Sequence, residues 1–202
     1  MSDPAPVVRE VPTGRGPSRL HIWPSQQPLR RLLLGHGAGG GVHAPDLMAL
    51  AETLPATGTE VWLVEQPWRV AGRRVAPAPA ILDEVWLHLV GDVSRELPLL
   101  VGGRSAGARV AVRTALASGA AAAVALAFPL HPPGKPERSR AVELADTGVP
   151  VLVVQGESDP FGRPSEVEAV GATVLGVAGD HSLRADLPAV TAAVERFVRA
   201  WG

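Results

Sequence analysis

The chain has 202 residues, enough for one domain of ordinary size. At 46% hydrophobic and 19% charged residues it can bury a sizeable core, which excludes wholesale disorder. A formal net charge of −1 with no concentrated basic stretch argues against a nucleic-acid partner, and the absence of cysteine excludes disulfides, thiolate metal sites and a cysteine nucleophile. Residues 1–6 carry neither a basic stretch nor an apolar run, and no apolar segment approaches the ~20 residues of a membrane span. The expectation is a cytoplasmic protein, not bound to membranes, that forms a single domain over 1–202 with 1–6 flexible.

In chain order, residues 7–11 and 20–23 bracket a Pro- and Gly-rich turn and read as an antiparallel edge hairpin. Apolar runs of strand length follow at 31–34, 60–64, 97–101, 123–128, 149–154 and 172–175. They are continuous rather than alternating, as strands covered on both faces require. Helical stripes lie between and after them: Leu47, Leu50, Ala51 and Leu54; Ile81, Val85 and Leu89; Val190, Val194, Phe197 and Trp201. Strand alternating with helix predicts an α/β fold, a three-layer α/β/α sandwich around a mostly parallel sheet. Trp62, Trp68 and Trp86 read as core, and His21 and His88 as fold residues.

The most informative segment is Gly103-Arg104-Ser105-Ala106-Gly107, which follows an apolar strand and precedes a small-residue helix. This is the G-x-S-x-G pattern of a nucleophile elbow in the context it requires. Glycines two positions either side of Ser105 remove side chains that would collide with so tight a turn. The turn then lifts the hydroxyl above the sheet edge, and the free amide of Ala106 at the helix start favours negative charge.

A serine hydroxyl needs a base to take its proton, and the base needs a carboxylate to fix its tautomer. Asp159 and His181 each stand on a loop just past a strand, so the order is Ser, acid, His. Glu157, two residues earlier on the same loop, is the alternative acid. The turn after the first core strand, His36-Gly-Ala-Gly, would supply a second oxyanion amide from Ala38, with His36 a structural turn residue rather than the base. Together these residues predict hydrolysis that climbs with pH through the imidazole range.

Gly35, Gly37 and Gly40 also spell a literal G-x-G-x-x-G, with Glu65 closing the next strand, so a dinucleotide-binding protein is a rival reading. A metal site built from His36, His43, His131 and Asp159 is a weaker one, because none of the histidines shows a helical metal-ligand spacing. No metal and no cofactor is expected.

The segments His36-Gly-Ala-Gly-Gly40, Gly102-Gly-Arg-Ser-Ala-Gly-Ala-Arg-Val110, Phe128-Pro-Leu-His-Pro-Pro-Gly-Lys-Pro136, Gln155-Gly-Glu-Ser-Asp-Pro-Phe-Gly162 and Asp180-His-Ser-Leu183 resemble the small α/β-hydrolase-like proteins related to dienelactone hydrolases. Animal members of that group include a testis-expressed protein and a subunit of the non-specific-lethal chromatin complex. The resemblance spans about 32–201 and implies an α/β-hydrolase fold with Ser105, Asp159 and His181 as the triad. It supplies no substrate, and Ser105 stands where dienelactone hydrolases proper have cysteine.

In many relatives a helical cap follows the sixth strand, but here about a dozen Pro-rich residues follow Phe128, too few for one. The expectation is therefore a cap-less α/β-hydrolase. Arg104, Arg109, His131 and Lys135 would bring positive charge to the mouth and favour an anionic acyl substrate, unless Arg104 pairs with a carboxylate such as Glu157. His36, Arg104 and His131 are the candidates for substrate contacts. The reading is a serine hydrolase acting on a small ester or thioester. Its alternatives are a non-catalytic scaffold that binds a partner protein and the dinucleotide-binding protein.

Overall fold

A computed structural model describes residues 5–202. Of the segment expected to be flexible, residues 1–4 lie outside the described residues, and Ala5 and Pro6 are exposed ahead of the first strand. The strands β1 (Val7–Val11), β2 (Ser18–Trp23), β3 (Arg30–Gly35), β4 (Thr59–Glu65), β5 (Leu99–Arg104), β6 (Ala122–Leu126), β7 (Val151–Gly156) and β8 (Thr173–Val177) form one eight-stranded sheet. Its order is β1-β2-β4-β3-β5-β6-β7-β8. β1 and β2 form the antiparallel edge hairpin read from the sequence, β2 pairs antiparallel with β4, and the other six strands are parallel to one another.

The helices are α1 (Pro45–Thr53), α2 (Pro67–Val70), α3 (Pro79–Gly91), α4 (Ala106–Thr114), α5 (Ala141–Ala145), α6 (Pro164–Glu168) and α7 (Leu187–Val198). Successive strand residues feed opposite layers. Leu32, Leu34, Val61 and Leu63 pack with Leu47, Leu50, Val190 and Val194 from α1 and α7. Leu33, Trp62 and Val64 pack with Val85, Trp86, Leu89 and Val110 from α3 and α4. Both faces are covered, which is why the strands read as unbroken apolar runs. Trp62, Trp68 and Trp86 are core residues, as expected.

Strand ends differ from the hydrophobic runs for local reasons. β5 and β7 begin after Pro98 and Pro150, which have no N–H for a ladder. β6 stops at Leu126 because Ala127 takes a left-handed conformation with φ 46°. No lid interrupts the fold: after Phe128 the chain reaches only a 3₁₀ turn (Pro136–Arg138) and the five-residue α5. Among the described residues no helix is long and apolar enough to cross a membrane.

Candidate active site

The chain leaves β3 for β4 on one side and returns across it to β5 on the other, so strand order reverses between β3 and β5. Parallel sheets open a crevice at such a point, outside the carboxyl ends of the strands. Here Gly35, the last residue of β3, pairs with Gly103, the last but one of β5, and the turns after them face each other. Ser105 follows β5 at φ 52° and ψ −110°, an unusual conformation for a residue with a side chain, and its N–H is tied to the Leu126 carbonyl at 2.9 Å. A Cβ on Gly103 would stand 2.6 Å from backbone atoms of Gly107 and Gly35, and one on Gly107 would overlap the Gly35 carbonyl. The two glycines therefore let the elbow close against β3.

The loop after β7 holds Asp159, fully buried at its side chain, and the loop after β8 holds His181. His181 Nδ1 lies 2.8 Å from Asp159 Oδ2, and Nε2 lies 3.0 Å from Ser105 Oγ. Asp159 also accepts hydrogen bonds from Gln155 Nε2 at 2.9 Å and from the Phe161 N–H at 2.8 Å. The Phe161 ring lies 4.4 Å from the imidazole, centroid to centroid. Glu157, the alternative acid, is turned away over Gly176 of β8.

The other candidates fall as follows. Ala106 opens α4, where the first amides have no intrahelical partner. Ala38 is exposed on the turn facing the elbow, and a Cβ on neighbouring Gly37 would lie 3.4 Å from Ser105 Cβ. His36 is buried beneath that turn, with Nδ1 2.9 Å from the Gly37 carbonyl and Nε2 accepting the Gln66 N–H at 3.2 Å. These bonds fix the neutral Nδ1–H tautomer, and burial pushes the imidazole pKa down. His36 is thus the structural turn residue, with both ring nitrogens occupied.

The arginines weighed for a positive mouth are paired with carboxylates. Arg104 pairs with Asp46 of α1 rather than Glu157: its Nε is 2.9 Å from Asp46 Oδ2, while Nη2 donates to the His181 carbonyl at 2.8 Å. Arg109 is bound to Glu143 at 2.8 Å. His131 is buried against the Pro132 carbonyl and Glu166, and Lys135 is exposed. His36, His43, His131 and Asp159 do not converge, and no group of three ligating side chains is placed for a metal among the described residues. Of the glycines of the dinucleotide reading, Gly35 and Gly37 pack on the elbow while Gly40 lies against Ala44, and Glu65 is turned to His21 at 3.3 Å.

Sequence reasoning missed Asp46, whose carboxyl is wholly buried and pushed up in pKa by that burial against the pull of Arg104. It also missed Gln155, although a buried glutamine closing an otherwise apolar strand was a legible signal. A cavity of about 710 Å³ lies at the opposite end of the strands around Arg30, Thr57 and Gly58, and is not the site.

A lid-less α/β serine hydrolase from Xanthomonas campestris superposes with TM-score 0.78 at 19% identity, over 97% of this chain and 94% of that one. Est1E from Butyrivibrio proteoclasticus gives 0.77 at 15% identity, over 96% and 98% of the two chains. A dienelactone hydrolase from Anabaena variabilis gives 0.72 at 16% identity, over 99% and 97%. At these identities the likeness is one of fold. No curated protein matches the sequence. Residues 28–188 match the α/β hydrolase domain family, to which the chain therefore belongs.

Proposed function

We propose that the protein is a serine hydrolase that cleaves a small ester or thioester through an acyl-enzyme. The observation that carries this reading is the continuous hydrogen-bonded line from Ser105 Oγ through His181 to Asp159, set on a strained elbow. In this mechanism His181 Nε2 takes the Ser105 proton as Oγ attacks the substrate carbonyl. Asp159 holds Nδ1–H and stabilises the imidazolium that forms. The amides of Ala38 and Ala106 receive the oxyanion, each such donor being worth ~10²–10³ in rate. His181 then protonates the leaving alcohol or thiol, and water, deprotonated by the same nitrogen, releases the acid. The cap-less fold supports a small or open-lying substrate over one that needs an interfacial lid.

Labelling with a fluorophosphonate probe tests the proposal. Wild-type protein should label and hydrolyse short acyl esters, whereas Ser105→Ala, His181→Ala and heat-denatured samples should not. A folded wild type that fails to label would overturn the enzyme reading and favour a scaffold that binds another protein.

A further inference from the structure

Buried or half-buried guanidinium groups rarely go without partners, because desolvating the charge is costly unless it is hydrogen-bonded. In this chain Arg19, Arg31, Arg104, Arg109 and Arg113 pair with carboxylates, while Arg30 and Arg140 donate to backbone carbonyls. Arg69 is half-buried as well, yet among the described residues its guanidinium has neither an ion pair nor a hydrogen bond. The nearest carboxylate along the chain, Glu65, is occupied by His21 and Arg19.

Its position is specific. Arg69 lies on α2, directly past the carboxyl end of β4. Its Nε is 3.2 Å from where a Cβ on Gly41 would stand, so the missing side chain makes room for it. Gly41 closes the turn that begins at Gly37 against Ser105 and carries Ala38. Four residues reach at most ~14 Å and the contacts at each end add a few ångströms, so the unpaired charge stands within roughly 20–25 Å of the nucleophile, on the same side of the sheet end. The segment is also held in place: the Gln66 N–H bonds His36, and the His36 ring lies 5.4 Å from Trp68.

We propose that Arg69 binds an oxyanion group, a carboxylate or a phosphate, on the substrate cleaved at Ser105. The inference rests on the hydrolase reading above. The planar fork can take such a group by two parallel hydrogen bonds while the scissile carbonyl lies over Ser105.

Two matched pairs read this out. Mono-p-nitrophenyl adipate against p-nitrophenyl hexanoate differ by a terminal carboxylate. The 4′-phosphopantetheine thioester of hexanoate against the pantetheine thioester differ by one phosphate. In one pair the anionic member should have the higher kcat/KM by about 10- to 100-fold, a preference that weakens with salt. Arg69→Met should abolish the preference, and the pair that shows it names the source of the anion. Arg95→Met, on an exposed loop at the other sheet edge, should leave the preference intact. Equal rates within both pairs, or a preference that survives Arg69→Met, would overturn the inference. Failure of wild type to label with fluorophosphonate would instead sink the hydrolase reading beneath it.

Discussion

Asp159 accepts three hydrogen bonds, with Oδ2 facing His181 and Gln155 and Oδ1 facing the Phe161 N–H. Every one of these partners is a donor, so an amide here must turn its own N–H₂ towards another N–H. Where the N–H₂ of Asp159→Asn faces His181, the imidazole must give up its Nδ1 proton to accept from it, and in the flipped orientation the imidazolium loses its counter-charge. The Nε2–H tautomer can no longer accept from Ser105. The expected loss in kcat/KM is ~10³–10⁴ with the near-ultraviolet circular dichroism unchanged. Glu157→Gln should leave the rate as it is, because that carboxylate lies over Gly176. If the Glu157 variant were the impaired one, the acid would be misassigned. The sequence left these two acids two residues apart on one loop; only the direction of their side chains separates them.

Arg104 ties three separate elements together. It closes β5, its guanidinium meets Asp46 in the first turn of α1, and it holds the His181 carbonyl on the loop after β8. The imidazole is thus gripped by Asp159 at the ring and by Arg104 at the backbone. Breaking a buried pair by removing one partner destabilises by ~3–5 kcal/mol, since the other charge is left uncompensated. Asp46→Asn and Arg104→Gln should each lower the thermal midpoint by several degrees. Both should also reduce kcat more than they raise KM, because His181 loses its position rather than its substrate. A double variant no worse than either single one would mark them as one unit; fully additive losses would refute the strut. Such a strut is invisible in the sequence, since nothing in an aspartate near a helix start points to an arginine 58 residues on. The long strands and the elbow were legible because their physics is local: apolar runs covered on both faces, and glycines flanking a serine. The helices α2, α5 and α6 were not, being four or five residues long and too short to carry a period.

Stability of the whole molecule should carry the imprint of His36, a buried imidazole at the strand-order reversal. Burial depresses its pKa, with Arg69 adding to the effect and the Gly37 carbonyl and Glu65 opposing it. Protonating Nε2 would also set a donor against the Gln66 N–H. Above about pH 6.5 the ring is neutral in both the native and unfolded chains and adds no pH dependence. Below that value the unfolded chain binds a proton that the native state refuses, so stability falls as pH falls. The slope approaches ~1.4 kcal/mol per pH unit and continues until the depressed native pKa is reached. Between pH 7 and 5.5, above the range where ordinary carboxylates titrate, the thermal midpoint should therefore drop by a few degrees. His36→Gln can still accept the Gln66 N–H through its side-chain oxygen but cannot ionise. It should start less stable, with a flatter midpoint across the same window. An equally steep profile in the variant would place the acid-sensitive group elsewhere and free His36 from this role.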